Sequence, residues 1–304
     1  MLKKIILNIL IVIVAVVVLD FVVGRSLRYF YFKEKSGLHQ RTTYSMETTN
    51  ADVLVFGSSR ANHHYVPIVF EDSLKKTFYN LGRDGNGIFF QIALLNSVLK
   101  RYTPKVIILE YSGEFEKGDF AFDKLSSLLP YYRTHKEIRG VIDQREPLDK
   151  IKLISEIYPF NSQALTIAIG NTKTNKRGAA DCKGYVPLYG EWQNELDTAL
   201  KYNLYKIDTN KINTFKEFIT KSKNLGIQVF VIRSPIFRKL SKSQGINICN
   251  EVCAAEKIPF WDFSADTSFL NNKSLFQDVV HLNDKGATAF SKLVVSKIKD
   301  YKTN

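Results

Sequence analysis

Three short stretches hold the residue types from which a serine nucleophile could be assembled. The first is Val53-Leu54-Val55-Phe56, an apolar run that reads as a buried strand, broken off by Gly57-Ser58-Ser59. A hydroxyl placed just beyond a strand can sit at the carboxyl edge of a parallel sheet, where open α/β folds bind ligands. Serine is a poor nucleophile at neutral pH until a base takes its proton during attack. The second stretch, Asp278-Val279-Val280-His281-Leu282-Asn283, offers such a base. Histidine titrates near working pH, and an aspartate three residues earlier can fold back to accept its other ring N–H. The third is Asn80-Leu81-Gly82-Arg83-Asp84-Gly85-Asn86-Gly87, whose glycines allow backbone amides to approach a ligand closely. Each stretch also has a plain reading: a serine helix cap, surface polar packing, and an ordinary loop.

The elements around them are arranged to bring the three together. Strands are expected at 52–57, 77–80, 104–110, 226–232 and 258–263. Helical spacing fills Pro67–Leu74, 88–101, 207–224, 242–256 and 283–299. Alternating strands and helices point to a parallel sheet with crossover helices, so the expected fold is a three-layer α/β/α sandwich on a five-stranded parallel sheet. From Gly113 to about Asp197 the alternation stops. That stretch, with a helix expected over Leu148–Tyr158, reads as an insertion that either shapes the site or is a decorative bulge. Arg233-Ser234-Pro235 ends the fourth strand at the same sheet edge and either lines a pocket or forms a structural turn.

With 304 residues, 45% hydrophobic and 24% charged, the chain has the make-up of a folded protein with one large core, not a disordered one. Its net charge of +13 is spread along the sequence rather than gathered in one arm. That favours an anionic surface or polymer as neighbour over a dedicated nucleic-acid tail. Cys182, Cys249 and Cys253 are too few for a disulfide framework, and His63 and His64, adjacent on a helix, cannot face one ion; neither a metal nor a cofactor is expected.

After Lys3 and Lys4, the run Ile5–Val23 is almost continuous Ile, Val and Leu, about 19 residues, enough to cross a bilayer. Val22-Val23-Gly24-Arg25 lacks a small-x-small cleavage site, which favours an uncleaved anchor over a signal peptide. Tyr29 to Phe32 then suit an interfacial aromatic belt. The expected organisation is an anchor over 1–24, a polar stalk over 25–50 and an α/β domain over 51–304 with its insertion at about 113–197. Export of the body across the inner membrane, to the periplasmic side, is the favoured orientation.

Taken in order, Gly57-Ser58-Ser59, Asn80-Leu81-Gly82-Arg83-Asp84-Gly85 and Asp278-Val279-Val280-His281 resemble the three matching blocks of the SGNH/GDSL hydrolases. The closest likeness is to membrane-anchored members linked to acylation of cell-surface polysaccharides. The resemblance covers nearly all of residues 52–304 outside the insertion. It implies a flavodoxin-like sheet, Ser59 as nucleophile, His281 as base and Asp278 as the residue orienting it. It also implies that the amides of Ser59 and Gly85 are oxyanion donors. Ser58 departs from the family's usual Asp. The block after the third strand departs further, because Glu114 falls near a position that normally holds an Asn donor, and an ionised carboxylate would repel an oxyanion. Arg60, Asn62 and Arg83 lie near enough in sequence to substitute. The resemblance implies an esterase acting on an acylated envelope polysaccharide. Its rivals are an acyltransferase working beside a membrane-bound O-acyltransferase, and a non-catalytic glycan-binding protein on the same fold.

Overall fold

The computed structural model describes residues 1–113, 115, 124–172, 182–193, 206–237, 244–270 and 272–301. The chain divides into two compact units: residues 1–43 with 125–179, and residues 44–124 with 180–304.

The larger unit is built on five strands: β1 (Val53–Phe56), β2 (Phe78–Asn80), β3 (Val106–Glu110), β4 (Gln228–Arg233) and β5 (Phe260–Asp262). All pairings are parallel and the order is β2-β1-β3-β4-β5, the flavodoxin-like arrangement. The strands are short and almost wholly apolar because helices cover both faces. Successive side chains alternate between faces. Val53, Val55, Val106, Ile108, Phe230 and Ile232 belong to a core that also holds Tyr65, Phe70, Phe290 and Val294. On the other face Phe56 meets Phe218 edge-on at 5.2 Å. Phe290, fully buried from the last helix (Asp284–Asp300), lies edge-on to Tyr65 at 5.5 Å and to Phe263 at 5.4 Å. Truncating such a ring to alanine typically costs about 3–5 kcal/mol.

Caps fix where the helices begin. The carboxylate of Asp208 accepts the Asn210 N–H at 2.9 Å and starts the helix Thr209–Asn224. Asn283 does the same for the last helix, accepting the Gly286 N–H at 3.0 Å. Only glycine fits at 286, since a Cβ there would lie 2.1 Å from the Leu275 carbonyl oxygen.

The smaller unit is organised round the helix Leu2–Phe32, which is long and apolar enough to cross a membrane. Tyr31 is buried, stacked on His39 at 4.7 Å and edge-on to Tyr131 and Phe160 at 5.8 and 5.6 Å. Beside it, His39 bonds Glu34 at 2.8 Å. Within the expected stalk lies a helix, Leu38–Glu47. One expectation changes here: the helix expected over Leu148–Tyr158 is reduced to Asp149–Lys152 and a 3-10 turn at Tyr158–Phe160. Between them, the N–H groups of Glu156 and Ile157 and the Ser155 hydroxyl are turned onto Asp20, at 2.7, 3.3 and 2.5 Å. Amides committed to that carboxylate cannot continue a helix.

Candidate active site

The strand order changes direction around β1, so the turn after it opens at the carboxyl edge where the sheet's connections diverge. Gly57 makes the turn at φ +148°, with no room for a side chain: a Cβ would stand 2.8 Å from the Glu110 and Ala61 Cβ atoms. Its carbonyl accepts from the Arg83 N–H at 3.1 Å and from Gln91 Nε2 at 2.8 Å. Ser58 is the N-cap of the short helix Ser59–His64 and makes no side-chain cap bond. Ser59 is therefore the first helical residue, where helical geometry gives its N–H no acceptor.

Ser59 Oγ lies 2.7 Å from His281 Nε2, and His281 Nδ1 lies 2.8 Å from Asp278 Oδ2. The other oxygen of Asp278 accepts the N–H groups of Val280 and His281 at 2.8 and 2.9 Å, which forms the tight turn that folds the carboxylate under the ring. Partial burial raises the Asp278 pKa, but the hydrogen bond from His281 and the backbone donors outweigh it, leaving the group below the ordinary carboxylate value. An ionised Asp278 can only accept, so the ring proton belongs on Nδ1 and Nε2 is free to accept from the Ser59 hydroxyl. The structure thus draws together three residues separated by 222 positions at their widest hydrogen bond.

The loop carrying His281 is held from below by His64, which the sequence reading weighed only as a metal ligand. His64 is fully buried, and its Nε2 accepts the Leu282 N–H at 2.9 Å while Nδ1 bonds Ser234 Oγ at 2.8 Å. Burial, followed by the charges of Arg60, His281 and His63, pushes its pKa well below the usual histidine value, so it is neutral and can accept. Ser234 Oγ bonds Glu110 Oε1 at 2.8 Å, and the Tyr65 hydroxyl donates to Glu110 Oε2 at 2.5 Å. Burial raises the Glu110 pKa, opposed by Arg60, Tyr65 and Ser234.

Arg60 completes this buried set. It is 6% exposed, lies 3.3 Å from Glu110 and donates to the Tyr111 carbonyl at 2.6 Å. Asn62 is also buried and donates to Asp84 at 2.7 Å. Arg83 lies over the Phe90 ring at 5.5 Å. Gly85 is exposed at φ +70°, and the place its Cβ would take is 3.5 Å from Lys124 Nζ. Glu114 lies outside the described residues. Arg233 pairs with Asp262 at 3.2 Å, the structural alternative for that turn, while Ser234 belongs to the network under the site.

Residues 182–193, part of the expected insertion, also brace the site. Lys183 accepts the Asn80 N–H at 2.9 Å, the Val186 carbonyl accepts from His63 Nδ1 at 2.6 Å, and Tyr185 donates to Asp284 at 2.8 Å. His63 and His64 therefore diverge, one toward Val186 and Asp84, the other into the core. Among the described residues no group of three or more His, Cys, Asp or Glu is placed to hold a metal ion.

Fold and site together define a doubly wound α/β protein with a hydrogen-bonded Ser–His–Asp line at the carboxyl edge of its sheet. No family model and no curated protein matches the chain. Among solved structures it is similar to a Streptococcus pneumonia protein described as a candidate platelet activating factor. The identity is 13% over 92% of this chain and 99% of that one, with a TM-score of 0.44. It is also similar to the acetyl xylan esterase AlAXEase, at 14% identity over 81% and 98% of the two chains and a TM-score of 0.39. A mutant of Axe2, an acetyl-xylooligosaccharide esterase from Geobacillus Stearmophilus, gives 10% identity over 84% and 97% and a TM-score of 0.43.

Proposed function

We propose that the protein is a serine esterase of the SGNH type, anchored by Leu2–Phe32 and acting outside the inner membrane on O-acyl groups of an envelope polysaccharide. The observation that carries the chemistry is the unbroken line from Ser59 Oγ through both ring nitrogens of His281 to Asp278, at 2.7 and 2.8 Å. Ser59 Oγ attacks the ester carbonyl as His281 Nε2 takes its proton, and the ionised Asp278 stabilises the imidazolium. The tetrahedral intermediate collapses, His281 returns the proton to the departing alkoxide, and an acyl-Ser59 ester remains. Water attacks that ester with His281 again as base, releasing the acid and restoring the serine. The N–H groups of Ser59 and Gly85 are the proposed oxyanion donors; each such donor is typically worth about 10²–10³ in rate. The choice of an acylated glycan rests on the anchor and on the likeness of the three sequence blocks.

The test is the intact mass of the full chain in detergent after treatment with a fluorophosphonate, beside Ser59→Ala and His281→Ala. One adduct on the wild type and none on either variant is the expected result. A folded wild-type protein that takes no adduct overturns the reading.

A further inference from the structure

The unit formed by residues 1–43 and 125–179 leaves large aliphatic side chains outside its core. Leu148, Ile151 and Ile154 are 54%, 64% and 77% exposed, and Leu165 and Ile169, on the helix Ala164–Gly170, are 73% and 44% exposed. We propose that this surface is seated in the headgroup layer of an anionic membrane, forming a collar round the helix Leu2–Phe32 where it leaves the bilayer. The proposal rests on the reading of that helix as a span and goes beyond the proposed esterase chemistry.

The depth of the collar follows from Asp20. It stands three residues before Val23, the end of the apolar run, so it lies about 5 Å along the helix axis inside that end. A carboxylate at that level needs donors. The donors are the Ser155 hydroxyl and the Glu156 and Ile157 N–H groups, all contributed by the insertion. Gly24, one turn further on, lets the Glu156 backbone lie directly on the helix, with no room for a Cβ. The chain at 155–157 is thereby fixed at the level of the last turn of the apolar run. Ile154 immediately precedes it and points away from the protein. A second attachment lies at the helix end, where Asn171 donates to the Phe30 carbonyl at 2.8 Å and the Lys35 N–H reaches the Gly170 carbonyl at 3.2 Å. The helix bearing Leu165 and Ile169 runs up to that point.

Charge selects lipid as the occupant. Among the described residues of this unit beyond Lys3 and Lys4, which lie at the far end of the helix, eleven Lys and Arg stand against seven Asp and Glu. Between 148 and 154, Leu148, Lys150, Ile151 and Ile154 are exposed and Lys152 is half-buried, while Asp149 and Leu153 are buried; Lys150 and Lys152 also pair with Asp143 and Glu146 at 3.0 and 2.7 Å. Aliphatic groups set among lysines match an interface where acyl chains meet anionic headgroups. Exposed Tyr29, Phe30 and Arg25 on the helix add the aromatic and cationic groups favoured at that level.

The test uses the full chain reconstituted in vesicles of phosphatidylcholine and phosphatidylglycerol brominated at either a shallow or a deep acyl position. Single tryptophans are placed in a Trp192→Phe, Trp261→Phe background as Ile154→Trp, Leu165→Trp and Leu10→Trp, each compared with vesicles of unbrominated lipid. Loss of emission is expected at 154 and 165, greater with shallow than with deep bromine; at 10 the order is reversed. Replacing phosphatidylglycerol with phosphatidylcholine is expected to weaken the quenching at 154. No quenching at 154 and 165, with 10 quenched, would overturn the collar and leave the span standing; a face covered by a second protein copy gives that result. No quenching at 10 overturns the span and the collar together. Quenching at 154 that ignores lipid charge overturns the choice of an anionic surface.

Discussion

Replacing Asp278 by asparagine isolates one proton. In the wild type one carboxylate oxygen holds the backbone N–H groups of Val280 and His281, and the other accepts from the His281 ring. Asparagine keeps the first oxygen, so the turn that places His281 is retained. Its amide NH₂ takes the place of the second oxygen and donates, which forces the ring proton from Nδ1 to Nε2. A protonated Nε2 faces the Ser59 hydroxyl and cannot take its proton. The same change in a serine protease triad lowers turnover by about 10⁴, or ~5.5 kcal/mol of barrier, and a loss of that size is expected here. Asp278→Ala removes the turn as well and should lower thermal stability, which Asp278→Asn should leave nearly unchanged. The assays are kcat/KM for hydrolysis of p-nitrophenyl acetate by the full chain in micelles, the second-order rate of fluorophosphonate labelling, and the melting temperature. An Asp278→Asn variant that melts with the wild type and stays within about tenfold of its rate would refute the assigned tautomer and the role of the line.

The buried groups beneath the site give further expectations. Since the His64 pKa is depressed by burial, the unfolded chain binds a proton below about 6.5 that the folded chain resists. Stability should therefore fall as pH drops below that value, and His64→Gln, read by urea denaturation across pH 5–7, should flatten the slope. Asp278 acts in the same direction at lower pH: the stability its ionised form gives is present above its ordinary 3.8 and is lost as pH falls through the depressed folded value. Glu110→Gln leaves Arg60 as an unpaired buried charge and should cost about 3–5 kcal/mol in denaturant unfolding, with Arg60→Met in the same chain restoring much of it. Gly82→Ala would set a Cβ 2.3 Å from the Asn62 nitrogen. It should cost about 1–3 kcal/mol by calorimetry and slow the labelling of Ser59 as the turn shifts.

The strands were legible because each is a short apolar run bounded by breakers, and the parallel order followed from their alternation with helices. That Ser59, His281 and Asp278 would meet at one edge of the sheet was legible because residue type and place in that alternation agree. What lay beneath them was not. Arg60 beside a serine suggests a ligand contact from sequence, and only the structure reveals that β3 ends in a buried carboxylate opposite it. His64 could be excluded as a ligand partner of His63, but its bond to the Leu282 amide joins positions 218 apart and has no local signature. The insertion was hardest to read: its backbone donors serve Asp20, more than a hundred residues earlier, and periodicity carries no trace of such a debt.

That last arrangement has a consequence for synthesis. Asp20 and Ser155 are 135 residues apart, and Tyr31 and Tyr131 are 100 apart, so the unit that contains them is discontinuous in the chain. At roughly 5–20 residues per second, Asp20 leaves the ribosome about 7–27 s before the segment that will solvate its carboxylate. During that interval β1, β2 and β3 are made, while Gly24, Tyr31 and the Asp20 side chain wait for partners. The membrane helix is thus a folding template held in readiness. Its late contacts close a long loop, so this unit cannot be completed until residues 155–157 have been made.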